Sequence, residues 1–336
     1  MPKPKPANRT DVAIIGAGPA GLAASIYLSR YRLSNLVLGP EFGGYVATTH
    51  LVEDYLGFDT ISGLELAEKF TAHAKAYPDE ATVVNDKVSK LERTDAGFAL
   101  ETWSGKEYTA RAVIIATGTE HNKLGVPGED TFEGKGVSYC VTCDAAFFKD
   151  KVVGIVGGGD SGAKGALHLA EFAKRVYWIH RRKEFRAEPI WVERVKEKPN
   201  VTFVLENSVA EVQGDQTVTG LKLAKPYEGA TGPKGQLKSS ELAVDGLFVE
   251  IGSTPARDLP DQVGAKVDQY QNLIVNDHMR TSAELVWGAG DGTTGSALFR
   301  QIGTASAEGS IAAGDIYEYL NDPKPDWHAK GRIVTD

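Results

Sequence analysis

The two cysteines of this 336-residue sequence are Cys140 and Cys143, and Asp144 follows them directly. A Cys-x-x-Cys pair can close into a disulfide. After reduction, one thiol can attack a partner while the other resolves the mixed disulfide. A neighbouring carboxylate can carry the proton that this exchange needs. The spacing therefore predicts dithiol–disulfide chemistry with Cys140, Cys143 and Asp144 as the reacting groups.

Other interpretations of the cysteine pair are a structural disulfide, half of a zinc site, and two buried thiols. A zinc site needs four ligands, and the sequence has no second Cys-x-x-Cys and no His-x-x-x-His-like pair. A structural disulfide closing so short a loop would stabilise the fold little. We therefore expect no metal, and the surroundings of the pair must decide between the remaining interpretations.

A glycine loop near the start of the chain is the first element that could position this chemistry. Residues 11–15 form an apolar run, Gly-Ala-Gly-Pro-Ala-Gly occupies 16–21, and residues 22–30 have a helical pattern. Glycines between a strand and a helix let backbone N–H groups approach a pyrophosphate, although such turns also serve packing alone. The next strand, 35–38, ends at Gly39 rather than at an acid that binds ribose, which weakens an assignment to NAD.

A second strand–loop–helix unit follows the cysteine pair. An apolar run at 151–156 leads into Gly-Gly-Gly-Asp-Ser-Gly at 157–162, and a helical pattern continues to about residue 172. The sequence thus contains two loops of the type that binds the phosphates of a nucleotide.

A basic cluster ends the next strand of this second unit, which covers residues 175–179. His180, Arg181 and Arg182 come directly after it, and Arg186 follows four residues later. An NAD site would place a carboxylate here, whereas arginines bind the 2′-phosphate of NADP through paired hydrogen bonds. The cluster predicts NADP, and a solvated basic turn is the alternative.

One structural plan occurs twice along the chain: strand, glycine loop, helix, β-meander, strand, glycine. The predicted meanders cover residues 81–113 and 201–247, and the closing strands cover 112–118 and 246–252. This duplication predicts an α/β fold with two Rossmann-like dinucleotide-binding domains, each with a parallel sheet and a β-meander, the second inserted in the first. The predicted parts are a mobile N-terminal arm at 1–10, a discontinuous domain at 11–123 and 253–320, an inserted domain at 124–252 that carries the cysteines, and a tail at 321–336.

Composition excludes several classes of function. The net charge is −8, and neutralising nucleic-acid phosphates requires a basic field, so no nucleic-acid partner is expected. No apolar run reaches the length of about 18 residues that a transmembrane helix needs. The N-terminal residues lack the apolar core of a secretory signal, and two thiols suit a reducing setting, so we expect a cytoplasmic protein.

Taken together, these motifs resemble the low-molecular-weight thioredoxin reductases of the FAD/NAD(P)-linked disulfide oxidoreductase superfamily, over about residues 10–320. The resemblance implies an enzyme that passes electrons from NADPH through FAD and a Cys140–Cys143 disulfide to thioredoxin or a similar small dithiol protein. It also implies that Cys143 faces the flavin, that Cys140 attacks thioredoxin, that Asp144 is the acid/base, and that the protein is a homodimer.

The resemblance also assigns the two dinucleotide sites. It implies that FAD is bound by Gly16, Gly18, Pro19, Ala20, Gly21, Gly39, Glu41, Gly43, Gly44, Tyr45, Asp54, Val88, Thr117, Gly118, Gly290, Asp291, Arg300, Gln301 and Ile302. It implies that NADPH is bound by Gly157, Gly159, Asp160, Ser161, Gly162, His180, Arg181, Arg182, Arg186, Ile251 and Gly252.

Some features depart from the family pattern. Residues 163–165 replace acidic residues that usually follow the second glycine loop, and Tyr45 replaces a common glutamine. A related flavoprotein that takes electrons from ferredoxin or a second flavin, or that has another acceptor, is one alternative. A redox-sensing flavoprotein is another. The tail with Trp327 and His328 is interpreted either as packing near a flavin or as a mobile extension.

The position of the cysteines predicts a motion. They precede the opening strand of the second unit, so we expect them to move with the NADP domain. Both the cysteines and the nicotinamide must reach the flavin, and Cys140 must also reach a protein partner. We therefore predict a rotation of the middle domain about connections near residues 119–127 and 252–256.

Overall fold

The computed structural model describes residues 8–40, 42–49, 51–228, 238–255, 257–322 and 327. The chain divides into two compact units: unit 1 comprises Met1–Glu120 and Thr254–Asp336, and unit 2 comprises His121–Ser253. Glu41, His328 and the predicted Gly/Pro turn near residues 229–235 lie outside the described residues.

Strands and helices alternate along both units. The strands are β1 (Arg9–Ile15), β2 (Asn35–Gly39), β3 (Ala81–Asn85), β4 (Val88–Thr94), β5 (Gly97–Thr102), β6 (Glu107–Ile115), β7 (Thr119–His121), β8 (Val137–Ser138), β9 (Val152–Val156), β10 (Arg175–His180), β11 (Val201–Leu205), β12 (Val209–Gly214), β13 (Val218–Glu228), β14 (Lys238–Ala243), β15 (Gly246–Val249), β16 (Ser253–Pro255) and β17 (Val286–Gly288). The helices are α1 (Pro19–Arg30), α2 (Gly63–Ala74), α3 (Val141–Asp144), α4 (Asp160–Phe172), α5 (Pro189–Lys196), α6 (Asp258–Gln262) and α7 (Ile302–Asn321), with short 3₁₀ turns at Gly44–Val46 and Ala145–Phe148.

Unit 1 is built on a sheet in the order β3-β2-β1-β6-β5-β4, with β17 also paired to β6. β6 pairs in parallel with β1 over Thr109–Ile115, while its other edge pairs antiparallel with β5 in its N-terminal part and in parallel with β17 in its C-terminal part. β1 and β2 are nearly continuous buried runs, as expected for parallel strands covered on both faces. The loops that follow β1, β2, β6 and β17 therefore start from the same edge of the sheet.

Unit 2 is built on a five-stranded parallel sheet in the order β11-β10-β9-β15-β8. The antiparallel strands β12, β13 and β14 form a separate three-stranded meander. A cluster of buried apolar residues contributed by both sheets fills the space between them. Both units thus combine a parallel sheet with an antiparallel meander, in agreement with the predicted fold class.

Two strands pair differently from the prediction. The sequence predicts a meander over residues 81–113, but β3 pairs in parallel with β2, and the meander consists of β4, β5 and β6. In unit 2, β11 likewise extends the parallel sheet beside β10, so the meander begins at β12. A short strand of apolar and polar residues suits either place, and its partner is chosen by packing rather than by its own sequence.

Helices α1 and α7 of unit 1 are closely packed against each other. α7 lies against α1, and a Cβ placed on Gly309 would lie 2.0 Å from the carbonyl oxygen of Ala20. Only glycine allows this approach, because any side chain would collide with the backbone of α1. The small residues of α7 therefore bring its N-terminal half next to the first glycine loop.

Both ends of the described chain are ordered further than predicted. β1 begins at Arg9, so the predicted mobile arm, which extends to residue 10, overlaps a strand.

No helix in the described ranges is long and apolar enough to cross a membrane.

Trp327 lies in the core of unit 1. Its ring makes edge-to-face contacts with Trp287, at 4.7 Å between centroids, and with Tyr319, at 5.3 Å. Its indole N–H donates to the carbonyl oxygen of Thr281 at 3.0 Å, and only 6% of the residue is exposed. Tyr319 is near the C-terminal end of α7, about 25 Å along the helix from Ile302. Trp327 is therefore a core residue of its own unit rather than part of a mobile extension, and its packing near a flavin stays a prediction.

Candidate active site and dinucleotide-binding loops

The first glycine loop makes a tight turn between β1 and α1. Gly16 has φ +122°, and a Cβ there would lie 2.0 Å from the carbonyl oxygen of Ala116. A Cβ on Gly21 would lie 2.0 Å from the oxygen of Gly16, so the helix begins directly against the turn. At Gly18, which precedes α1, the nearest atoms would be 4.0 Å away. The loop is thus closed on its inner side and open at Gly18, where the first N–H groups of α1 can bind an anion.

Residues from the ends of β2, β6 and β17 lie beside this loop. A Cβ on Gly39 would lie 2.7 Å from the backbone nitrogen of Ala17, and the N–H of Gly43 donates to the oxygen of Ala17 at 2.8 Å. A Cβ on Gly292 would lie 2.7 Å from the oxygen of Gly118. The predicted residues Gly16 to Gly21, Gly39, Gly43, Gly44, Gly118 and Gly290 thus meet at one edge of the sheet.

Asp291 brings a carboxylate to this edge. Its Oδ1 atom is buried and has no hydrogen-bond partner within the described residues. Burial raises the pKa of Asp291, and the guanidinium of Arg300 partly opposes this change. A buried acceptor without a donor costs free energy, so the site fits a ligand that supplies a hydroxyl.

Arg300 and Gln301 lie at the start of α7. Arg300 donates from Nη2 to Oδ1 of Asn272 at 2.8 Å, while its Nε is buried without a partner in the described chain. Gln301 precedes the helix and forms a capping box with Thr304. Both groups, followed by Ile302, are held in place at the side of the site formed by α7.

The other predicted FAD residues are less central. Val88 is a core residue at the start of β4, and Asp54 is exposed in the loop between β2 and α2. Tyr45 lies in the 3₁₀ turn Gly44–Val46, and Thr117 is exposed after β6.

The second glycine loop repeats the tight turn of the first. Gly157 has φ +146°, and a Cβ there would lie 1.9 Å from the carbonyl oxygen of Glu250. A Cβ on Gly162 would lie 2.6 Å from the oxygen of Gly157, whereas Gly159 has no atom within 4 Å of a Cβ position. As in the first loop, the two outer glycines lie directly against backbone atoms, whereas space remains around Gly159, the residue before α4.

The basic cluster lies beside the second glycine loop. The N–H of Arg186 donates to the oxygen of Gly158 at 2.7 Å, and this bond connects the turn after β10 to the glycine loop. Arg181, Arg182 and Arg186 are exposed, while His180 is buried against Gly158 with its Nε2 3.1 Å from the oxygen of Glu184. Burial lowers the pKa of His180, with a smaller contribution from the neighbouring arginines. The exposed guanidinium groups are therefore available to a phosphate bound near this loop.

The remaining predicted residues of this site surround the loop. Asp160 begins α4, and its Oδ1 accepts from the N–H of Glu188 at 2.7 Å. Ser161 is exposed, and Ile251 and Gly252 follow β15.

The cysteine pair forms a disulfide at the start of α3. Cys140 is half-buried and Cys143 is exposed. The backbone N–H of Cys143 donates to Sγ of Cys140 at 3.2 Å, and Oγ of Ser138 accepts from the N–H of Cys140 at 3.0 Å. Ser138 thus fixes the backbone at the end of β8, and Asp144 closes the single turn of α3.

Two dinucleotide-type loops and a disulfide on one chain match a known family. The family model described as pyridine nucleotide-disulphide oxidoreductase matches residues 10–309. The chain belongs to this family. Thioredoxin reductase of Bacillus subtilis is 39% identical over 320 residues, which cover 93% of this chain and 95% of that protein. Thioredoxin reductase of Listeria innocua is 37% identical over 322 residues, which cover 94% of this chain and 95% of that protein.

Solved structures give the same result. Thioredoxin reductase of T. acidophilum has a TM-score of 0.83 and 37% identity, with coverage of 94% of this chain and 100% of that chain. Lactococcus lactis thioredoxin reductase has a TM-score of 0.82 and 32% identity, with coverage of 92% and 98%. The predicted fold class, the predicted class of FAD-dependent disulfide oxidoreductase, and the cofactors FAD and NADPH are confirmed.

The disulfide oxidoreductase has a buried acid that the sequence prediction missed. Oε2 of Glu308 accepts from the N–H of Gly290 at 2.7 Å and from the hydroxyl of Thr293 at 2.8 Å. Glu308 is 5% exposed, and burial raises its pKa. These bonds fix the loop that carries Asp291. The available signal was an acid in the middle of an alanine- and glycine-rich helix, a position where a buried charge needs a partner.

Proposed function

We propose that this protein is a thioredoxin reductase that uses NADPH to reduce the disulfide of thioredoxin or a similar small dithiol protein. The observation that carries the proposal is the Cys140–Cys143 disulfide in a chain with two dinucleotide loops. Curated relatives that match nearly the whole chain are thioredoxin reductases. When bound, FAD supplies the step that converts hydride transfer from NADPH into reduction of a disulfide.

Unit 1 is proposed to bind FAD and unit 2 to bind NADPH. In unit 1, the open position at Gly18 and the buried acceptor of Asp291 suit a pyrophosphate and a hydroxylated chain. In unit 2, the exposed arginines after β10 suit a 2′-phosphate, for which FAD has no counterpart. The other assigned residues keep the roles that the family resemblance implies, and the predicted rotation of the middle domain stays a prediction.

Cys140 is proposed to attack the partner. The N–H of Cys143, which points to Sγ of Cys140, would stabilise a thiolate there after reduction. That thiolate attacks one sulfur of the thioredoxin disulfide, forms a mixed disulfide and releases the first thiolate of thioredoxin. The Cys143 thiolate then attacks Sγ of Cys140, which restores the internal disulfide and releases the second thiolate. Asp144 is the proposed source of a proton for the departing sulfur.

The protein is further proposed to be a cytoplasmic homodimer. A reducing compartment suits an enzyme whose acceptor must be kept as a dithiol. Apolar side chains of α1 and α7 remain partly exposed, including Tyr27, Ile311 and the stacked pair of Tyr31 and Tyr317. Such a patch is the type of surface that pairs with a second subunit.

A donor comparison tests the proposed activity. Reduction of a thioredoxin should proceed with NADPH, more slowly with NADH, and not with reduced ferredoxin. Turnover with ferredoxin alone would support the alternative flavoprotein, and no turnover of any thioredoxin would support a sensor.

Cysteine variants test the roles within the pair. Cys140→Ser and Cys143→Ser should each lower turnover at least about a thousandfold, because neither can complete the exchange. Cys143→Ser retains Cys140 and should form a stable mixed disulfide with a thioredoxin that lacks its resolving cysteine, whereas Cys140→Ser should not. Thr142→Ser, between the two cysteines, is the control and should turn over. If Cys140→Ser forms the mixed disulfide instead, the roles are reversed.

A further inference from the structure

Four neighbouring strands of unit 2 end at one edge of its sheet, in the order β10, β9, β15, β8. β10 is followed by the arginines, β9 by the glycine loop, β15 by Glu250, and β8 by the cysteine pair. Neighbouring strands are about 4.8 Å apart, so the groups that follow them form a row along the edge. A chemical role is assigned to each position in this row except that of Glu250.

The order of this row sets the direction of a bound coenzyme. If NADPH places its 2′-phosphate at Arg181 and Arg182 and its pyrophosphate at the glycine loop, its nicotinamide half continues to the end of β15. This step rests on the proposed NADPH site of unit 2. The first residue after β15 is Glu250, and the next strand end, that of β8, leads to Cys140.

The side chain of Glu250 starts directly beside the glycine loop. Its N–H donates to the oxygen of Val156 at 2.8 Å, which keeps it in register with the end of β9. A Cβ placed on Gly157 would lie 3.3 Å from the Cβ of Glu250. Two residues earlier on the same face, Phe248 packs on Phe148 in the turn after α3, with 5.2 Å between ring centroids. Glu250 therefore lies between the pyrophosphate loop and the segment that carries the cysteines.

The environment of Glu250 favours its neutral form. The side chain is half-buried, and burial raises the pKa of Glu250 to about 8. An ionised carboxylate in this place would repel the phosphates of the coenzyme. A protonated carboxyl group has no charge and can donate a hydrogen bond to an oxygen of the ribose or carboxamide.

The titratable groups on the neighbouring elements are directed to other partners or are exposed, except for the half-buried Asp144. On the loop and on α4 these are Asp160, which accepts from the N–H of Glu188, Lys164, whose Nζ lies 4.7 Å from the ring of Trp191, and His168, 3.4 Å from Glu171. On β8, α3 and β10 they are Tyr139, which donates to Glu129, Asp144, and the group of His180, Arg181, Arg182 and Arg186. The cause of the raised pKa of Glu250 is burial.

We propose that Glu250 is a further coenzyme-binding residue and that it binds the nicotinamide half of NADPH as a neutral carboxylic acid. Binding is then coupled to a proton. Below the pKa of the free enzyme the residue is already protonated, and affinity does not depend on its titration. Above that pKa the enzyme must take up a proton to bind, so affinity falls as the pH rises.

The test measures the Kd of NADP⁺ for the oxidised holoenzyme by calorimetry, because NADP⁺ cannot reduce the flavin. With a pKa of about 8, raising the pH from 7 to 9 should weaken binding about tenfold. Glu250→Gln cannot ionise and should show less than about a twofold change over this range. Glu241→Gln, an exposed acid on β14 of the same unit, is the matched control and should behave as the wild type.

A truncated ligand separates this inference from the proposed coenzyme site. 2′,5′-ADP lacks the nicotinamide half, so its Kd should change little between pH 7 and pH 9 in every variant. A tenfold loss for NADP⁺ that persists in Glu250→Gln, or an equal loss for 2′,5′-ADP, would overturn the role of Glu250. Failure of both ligands to bind at pH 7 would instead overturn the proposed NADPH site.

Discussion

The two glycine loops follow the same strand–loop–helix plan, but different parts of the chain complete them. The first loop is enclosed by a late segment: Gly309 of α7 lies against Ala20, and the buried acid Glu308 holds the loop after β17. The second loop is bordered by the exposed side chains of Arg181 and Arg182. The first loop thus has a packed helix and the buried acid Glu308 beside it, whereas the second has exposed cations on one side in addition to Glu250.

This difference fits the two dinucleotides proposed for the loops. A cofactor that remains bound through every turnover gains from a site closed by a second helix, since release requires the helix to separate. A coenzyme that must leave after each hydride transfer suits exposed cations, because charged contacts in water contribute modest affinity. The comparison therefore supports the proposed assignment of FAD to the first loop and of NADPH to the second.

The largest expected effect in the first unit comes from Gly16→Ala. The residue has φ +122°, and its new Cβ would lie 2.0 Å from a backbone oxygen that cannot move without shifting β6. We expect a loss of about 3 kcal/mol or more in stability, together with reduced FAD content. Thermal unfolding and the ratio of FAD to protein measure both.

Gly159→Ala is the control from the second loop. It has φ −100° and no atom within 4 Å of its Cβ position, so its unfolding temperature should stay close to that of the wild type. Equal unfolding temperatures for Gly16→Ala and Gly159→Ala would show that the enclosure of the first loop does not stabilise unit 1.

A comparable loss of stability, without loss of FAD, is expected from Trp327→Ala, which removes a core residue of the first unit. The indole fills space against Trp287 and Tyr319, so the variant should lose about 3 kcal/mol or more of unfolding free energy. Its flavin absorbance at ambient temperature should be unchanged, because the ring lies at the far end of α7. Trp103→Ala is the control, since Trp103 is 72% exposed, and it should change stability by less than about 1 kcal/mol. An altered flavin spectrum in Trp327→Ala alone would support packing of the tail beside the flavin.

The smallest effect is expected at the open loop. Replacing Arg181 and Arg182 by alanine should weaken NADPH about 10- to 100-fold, because each charge-assisted hydrogen bond is partly offset by water. NADH lacks the 2′-phosphate and should change by less than about threefold. Lys183→Ala, in the same turn, is the control for a general change in charge. An equal loss for NADPH and NADH would contradict contact with a 2′-phosphate.

The sequence predicted the motifs, but it did not predict every residue that lies against them in the folded chain. Gly16 to Gly21 and Gly157 to Gly162 were recognisable because each lies between an apolar strand and a helix, a local pattern. Glu308 and Glu250 were missed because, although each lies in a stretch of small or apolar residues, the local sequence does not show which distant groups they contact. Their roles depend on Gly290 and Gly157, which lie far from them along the chain.

By itself, the sequence determined the α/β class, the inserted duplication, the redox pair and the basic cluster, since these follow from local periodicity, spacing and residue chemistry. Only the tertiary structure decided that β3 and β11 join the parallel sheets, that Trp327 is a core residue, and that the buried Glu308 and the half-buried Glu250 lie beside the two loops. The physical reason is that strand pairing and burial depend on contacts between distant segments. The local sequence of a short strand or a single acid does not specify which distant segment it will contact in the folded chain.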